Sequence, residues 1–289
     1  MTADAGGAWL DGRVLPAGAA AVPALDLGLR QGLGVFETLR VADGRAAGLS
    51  QHLERLATGG ERLGIAVDAA RVRAGLAALV PAAGPGDVVA RITVTAGDAD
   101  AGWPPIATGR ARTLVTLHPA PPLPAPPAEA VVLPGPRAPA GLADVKTTSY
   151  AGSVVARRTA GARGAEVALL EDAGAILEAA DGNVIAVRDD VLTTPPCDGR
   201  IIPGVTRGLV LELAAARGLE VREAALTRQD LTAADLVVVT SAVRRLRPLR
   251  RVDGVAVAGG GGHPLLTGLL ADLAALTASS APLLGDPAR

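Results

Sequence analysis

Aromatic side chains are almost missing from this chain of 289 residues: it has one phenylalanine, Phe36, one tyrosine, Tyr150, and two tryptophans. A core without them has to be built from Ala, Val and Leu. The lack of stacking aromatics also disfavours single-stranded nucleic-acid binding. A net charge of −1 gives no electrostatic case for nucleic acid. One cysteine, Cys197, rules out an internal disulfide and a cysteine-rich metal site. Three scattered histidines, His52, His118 and His263, argue against a histidine-based metal site. Met1–Gly7 shows no basic region followed by an apolar run, so no signal peptide is read. No apolar run reaches about 18 residues, the length a spanning helix needs. A cytoplasmic protein without a membrane partner is expected.

Lysine is scarcer still. Lys146 is the only one, and apart from the histidines every other basic side chain is arginine. Asn183 is the only asparagine. In a chain drifted towards Ala, Gly, Arg and Val, such survivors are candidates for positions where nothing else will do. Arginine can take over most surface duties of lysine, but its guanidinium is always protonated. A lysine amine can lose its proton, attack a carbonyl and form a Schiff base. Lys146, within Asp144-Val145-Lys146-Thr147-Thr148-Ser149-Tyr150, therefore points to that chemistry. The competing reading is chance survival on a solvated loop.

The length can bury a large core and suits two domains. Trp9–Val14 reads as strand and turn, and Ala24–Gly34 as loop. Val35–Val41 reads as a strand, closed by an Asp43-Gly44 turn. Ser50 is a candidate N-cap for a helix carrying His52, Arg55, Leu56 and Leu63, weakened by Gly59-Gly60. A second helix is predicted over Ala69–Leu79, and strands over Asp87–Ala96 and Thr113–His118. Residues 119–127 hold six prolines and form a stiff, extended connector. The domains are accordingly 1–118 and 128–289, with 119–127 as linker. In the second, strands are predicted at Val131–Leu133, Ala165–Leu170 and Ala175–Leu177. A hairpin is predicted over Asn183–Thr194, turning at Asp189-Asp190. Helices are predicted at Tyr150–Ala162, Pro203–Arg217 and Leu265–Leu276. Further strands are placed at Leu219–Ala225, Leu236–Thr240 and Leu246–Leu249. The four-glycine loop Gly259–Gly262 and Gly32-Leu33-Gly34 lack the strand-to-helix context of a dinucleotide site. Asp98 and Asp100 match no metal loop.

Seven motifs in order over Leu27–Asp253 resemble the class IV aminotransferases, the fold-type-IV pyridoxal-phosphate enzymes. They are Gly32–Arg40, His52–Leu56, Val145–Tyr150, Gly164–Leu170, Glu178–Asn183, Ile202–Arg207 and Thr240-Ser241-Ala242. The resemblance implies two α/β domains, an α+β arrangement with a smaller N-terminal domain and a larger C-terminal pseudo-barrel. It implies a homodimer and pyridoxal 5′-phosphate as cofactor. At the position of Lys146 the family has the lysine that forms the Schiff base and shuttles the substrate proton. Tyr150 matches a position bordering the cofactor's phenolic oxygen, its alternative being a helix residue packed on the core. Glu178 matches the carboxylate that keeps the pyridine nitrogen protonated, so that the ring accepts electrons from the substrate carbanion. Val205 and Thr206 open a helix after Pro203-Gly204 and match the phosphate-binding turn. Thr240 and Ser241 match a second phosphate contact, and Arg55 the arginine that reaches the phosphate. Thr38 and Ala242 are the candidates for touching substrate. Three departures stand out: Ala179-Ala180 where the family has Gly-Ser or Gly-Thr, Gly182 for Ser, and Leu33 for Asp.

Two reactions share this cofactor. A lyase would expel pyruvate from aminodeoxychorismate and leave 4-aminobenzoate for folate. An aminotransferase of D-amino-acid or branched-chain type would pass an amino group to a 2-oxo acid. Compact length, the Gly34–Arg40 segment and few aromatics tip the reading to 4-amino-4-deoxychorismate lyase. The partner is then aminodeoxychorismate or another small amino donor. A cofactor-binding relative with little turnover is a third reading.

Overall fold

In a computed structural model, residues 7–84, 86–100, 102–107, 109–260 and 262–283 are described. The N-terminal residues read for a leader, the centre of the four-glycine loop and the tail beyond Leu283 lie outside them. The chain forms two units. The first takes the chain up to Ala120, the segment Val145–Ser149 and the stretch from Leu276; the second takes Pro121–Asp144 and Tyr150–Ala275. The change of unit at Ala120 falls inside the proline-rich stretch. The second unit differs from the expected continuous 128–289, because five residues around Lys146 and the C-terminal end group with the first.

The first unit is a five-stranded sheet in the order β2-β1-β5-β4-β3. Its strands are β1 (Gly7–Leu10), β2 (Arg13–Pro16), β3 (Gly34–Val41), β4 (Val88–Thr95) and β5 (Arg112–Pro119). Every neighbouring pair is antiparallel. Burial alternates along β4 and β5, as for strands with one covered face. On that face Val35 and Leu39, Ala90, Ile92 and Val94, and Val115 and Leu117 form one core with residues from two helices. Leu53 and Leu56 come from α2 (Leu49–Arg62), and Val72, Leu76 and Leu79 from α3 (Ala69–Leu79).

Two expectations need correction here. The loop expected over Ala24–Gly34 contains a short helix, α1 (Leu27–Gln31). Asp26 caps it by accepting the Gly28 amide at 2.8 Å, and Gly32 ends it at φ 66°. Helix α2 starts two residues earlier than expected: Gly48 is its N-cap, and Ser50 sits inside the first turn.

The second unit is a nine-stranded sheet. Its strands are β6 (Ala128–Pro134), β7 (Val167–Asp172), β8 (Ala175–Ala179), β9 (Asn183–Arg188), β10 (Val191–Thr194), β11 (Glu220–Glu223), β12 (Leu236–Ser241), β13 (Arg245–Val252) and β14 (Val255–Ala256). The order is β11-β10-β9-β12-β13-β6-β7-β8, with β14 on β13. The path from β9 through β12, β13, β6 and β7 ends at β8, and β8 runs back into β9 through a turn bridged by Ala179 and Gly182. The sheet therefore curls on itself, which is the expected pseudo-barrel. Its interior is Ala130, Val132, Leu169, Val184, Val237 and Leu249, small and branched side chains throughout.

Helices α4 (Ala151–Ala162), α5 (Val205–Ala216) and α7 (Pro264–Ser279) were expected from the sequence. Helix α5 starts later than predicted, because Gly204 is its cap and Pro203 stands outside it. Helix α6 (Arg228–Ala233) was not expected, although Thr227 and Asp230 form a capping box at its start. Among the described residues no helix is long and apolar enough to cross a membrane.

Candidate active site

The expected site residues divide between the units. Lys146, Thr38 and Arg55 belong to the first; Tyr150, Glu178, Val205, Thr206, Thr240, Ser241 and Ala242 belong to the second.

In the first unit β3 is an edge strand, and an edge offers unpaired amides and carbonyls. The segment Val145–Ser149 takes them up. The Phe36 amide donates to the Lys146 carbonyl at 2.9 Å, and the Thr148 amide donates to the Gly34 carbonyl at 2.8 Å. The Thr148 hydroxyl adds a bond to the Gly32 carbonyl at 2.7 Å. Val145 is buried in the core, so the alternation of an extended segment turns Lys146 the other way. Its Nζ stands 4.3 Å from the centre of the Phe36 ring, and the Arg91 guanidinium lies 3.8 Å from the same ring. The register pairs Phe36 with Thr93 and Thr38 with Arg91. Phe36, Thr38 and Arg91 therefore share the sheet face that the helices leave uncovered.

Glu37 points to the helix-covered face. It is fully buried, accepting from Arg55 Nε at 2.7 Å and Nη2 at 2.8 Å and lying 2.7 Å from His52 Nδ1. Burial alone would raise its carboxyl. The Arg55 charge and the bonds from His52 and Arg55 outweigh that and take it down to about 2. Arg55, expected on a phosphate, thus gives two N–H groups to Glu37.

In the second unit Glu178 is buried near the end of β8. Its Oε1 accepts from Arg137 Nε at 3.1 Å, and its Oε2 accepts from the Ile202 amide at 3.2 Å. Tyr150, one residue before α4, donates its hydroxyl to the Ala180 carbonyl at 2.9 Å. Burial raises its phenol, against the Arg137 charge. Ala180, where a hydroxyl side chain was missed, thus contributes through its backbone.

The turn ahead of α5 is tied down by Asn183. Its Nδ2 donates to the Ile202 carbonyl at 2.8 Å, and its Oδ1 fills the space where a side chain at position 204 would sit. Gly204 caps the helix without a side-chain bond, so the first amides of α5, at Val205 and Thr206, point out of an uncapped end. Asn183 faces Thr240 across the β9–β12 pair. The Thr240 hydroxyl is buried and has no hydrogen-bond partner among the described residues. A side chain at Gly182 would collide with the Thr240 carbonyl, which accounts for glycine there. Ser241 accepts the Arg244 amide at 3.2 Å, and Ala242 lies half-buried in the turn after β12.

These residues fit pyridoxal 5′-phosphate. An uncapped helix end beside an unpartnered buried hydroxyl suits a phosphate. A buried carboxylate held by two donors suits a protonated pyridine nitrogen. Sequence reasoning missed Arg137, Arg91 and the Glu37–His52 pair. No local pattern marks any of them, whereas Asn183 stood out as the only one of its kind.

Residues 34–252 match the family model for amino-transferase class IV. A putative branched-chain-amino-acid aminotransferase of Methanocaldococcus jannaschii is 32% identical over 262 residues, 85% of this chain and 88% of that protein. The structure of a branched-chain aminotransferase from Thermoproteus uzoniensis, with norvaline, superposes with a TM-score of 0.85 at 26% identity, covering 93% of this chain and 94% of the other. A hypothetical aminotransferase from Mycobacterium tuberculosis in its PLP-bound form gives 0.84 at 25% identity, over 94% and 99%. By these matches over most of its length the chain belongs to the class IV aminotransferases, enzymes that use pyridoxal 5′-phosphate to transfer amino groups.

Proposed function

We propose that the protein is an amino-acid aminotransferase of branched-chain type, moving the amino group of an aliphatic amino acid onto a 2-oxo acid. What carries the reading is the near full-length likeness to proteins bearing that name. It favours this reading over the lyase, since the proteins the chain resembles over most of its length are named aminotransferases.

The bound cofactor supplies an electron sink for the substrate's α-carbon. Lys146 would hold it through the ε-amine and would move the proton at the substrate's α-carbon. Glu178 would keep a proton on the pyridine nitrogen. Tyr150 would serve the phenolic oxygen. The amides of Val205 and Thr206 and the hydroxyls of Thr206, Thr240 and Ser241 would hold the phosphate, with Arg55 as its arginine. Thr38 and Ala242 border the substrate. The protein works as a homodimer.

Because the chain has one lysine, borohydride reduction of the cofactor-loaded enzyme should label a single internal peptide, the one containing Lys146. The spectrum is then followed with L-valine, L-leucine, L-isoleucine, D-alanine and aminodeoxychorismate in turn. Bleaching by the branched L-amino acids is the expected result. Bleaching by D-alanine alone would make the enzyme a D-amino-acid aminotransferase. Release of 4-aminobenzoate and pyruvate from aminodeoxychorismate would restore the lyase. A Lys146→Ala protein active on every donor would sink all three.

A further inference from the structure

We infer that Arg137 is a positioning residue for Glu178, holding its carboxylate charged and weakly basic so that the shared proton stays on the pyridine nitrogen. The inference rests on the nitrogen role proposed above for Glu178. Arg137 lies in the loop between β6 and α4, and its side chain is only 2% exposed. A guanidinium so buried needs partners for its charge and its N–H groups. Its Nε donates to Glu178 Oε1 at 3.1 Å, its Nη2 donates to the Ala143 carbonyl, and its Cζ lies 6.0 Å from the centre of the Tyr150 ring. The Ile202 amide occupies the other carboxylate oxygen. Both oxygens of Glu178 thus carry a donor from this chain.

Two donors, one of them cationic, stabilise the anion and make it a poorer base. Opposite a pyridine nitrogen, a poorer base leaves the proton on nitrogen, where the positive charge draws electrons from the substrate. Without Arg137 the buried carboxylate would bind the proton itself, and the nitrogen would become neutral. Tyr150 and Cys197 also couple to Glu178, but burial pushes both the phenol and the thiol up, so each stays uncharged near neutrality. Asp181, in the turn after β8, acts on Tyr150 with the same sign as Glu178 and cannot replace the arginine.

The test compares Arg137→Met, Arg137→Lys and wild type. In the cofactor-free protein with carboxyl-labelled glutamate, the Glu178 resonance is assigned by its loss in Glu178→Gln. In Arg137→Met its titration should move up by about 1–3 pH units, the effect of removing an adjacent opposite charge. Arg137→Lys should recover most of the difference. With ¹⁵N-labelled pyridoxal phosphate bound, the nitrogen should read as protonated in wild type and shift towards the unprotonated value in Arg137→Met. An unchanged Glu178 titration in Arg137→Met overturns the inference. A shifted titration with a nitrogen signal identical in wild type and Glu178→Gln would instead remove Glu178 from the nitrogen and leave the pair intact. Should Arg137→Met not fold, Arg137→Lys decides. A nitrogen signal close to wild type supports the inference, and one equal to that of Glu178→Gln overturns it.

Discussion

Replacing Glu37 with Gln removes a buried charge and keeps the side-chain shape, so its cost can be worked out in advance. The carboxyl falls from 4.5 to about 2 on folding. At 1.36 kcal/mol per unit, that gap corresponds to about 3 kcal/mol of stability. Glu37 is fully buried and the Arg55 side chain is 14% exposed, so solvent screens the pair little. The folded value lies below the unfolded one. The contribution is therefore complete above about pH 4.5 and is lost as the pH falls through about 2. Linkage leaves about 1.5 kcal/mol at pH 3. Urea unfolding followed by tryptophan fluorescence reads it directly. Trp9 is buried in the same core, while Trp103 is 87% exposed already, so the signal change comes from Trp9. Glu37→Gln should be less stable than wild type by about 3 kcal/mol at pH 7 and by about half as much at pH 3. A gap below about 1 kcal/mol at pH 7, or one that does not narrow at pH 3, would refute the reasoning.

Two substitutions on facing strands separate phosphate binding from packing. Thr240→Val removes a buried hydroxyl that has no partner among the described residues. The cofactor-free variant should melt at or above the wild-type temperature. Equilibrium dialysis should show pyridoxal phosphate bound about 10- to 100-fold more weakly, the value of one hydrogen bond to a charged group. Gly182→Ala acts oppositely. Its methyl group would collide with the Thr240 carbonyl, so the cofactor-free protein should lose about 1–3 kcal/mol in urea unfolding. A Gly182→Ala protein as stable as wild type would contradict the tight β9–β12 contact.

Elements with a full local pattern were legible in the sequence. Helix α3 matches its predicted limits because Asp68 caps it and apolar residues follow the helical period. Strands β4 and β5 alternate cleanly. What escaped was short or non-local. Helix α1 spans five residues and hides among glycines. The segment around Lys146 has no predicted element, because it pairs with β3, whose residues lie more than a hundred positions earlier. Arg137 sits in a proline- and glycine-rich loop 41 positions before its carboxylate, and nothing local announces the pair.

Scarcity also marks contacts. The chain keeps one Lys, one Phe, one Tyr and one Asn, and the last three make contacts that a commoner residue would not. Asn183 offers a donor and an acceptor on one short side chain, and it uses the donor on Ile202 while its oxygen packs against Gly204. Aspartate could not make the first contact, and alanine could make neither. Phe36 gives the Lys146 amine an aromatic face at 4.3 Å and shares it with Arg91, where a Val or Leu side chain would offer no quadrupole. Tyr150 reaches the Ala180 carbonyl at the end of an aromatic ring, a span that Ser or Thr cannot cover. Lys146 differs from the arginines that supply the other long basic side chains in having an amine able to lose its proton, the property that the role proposed for it requires.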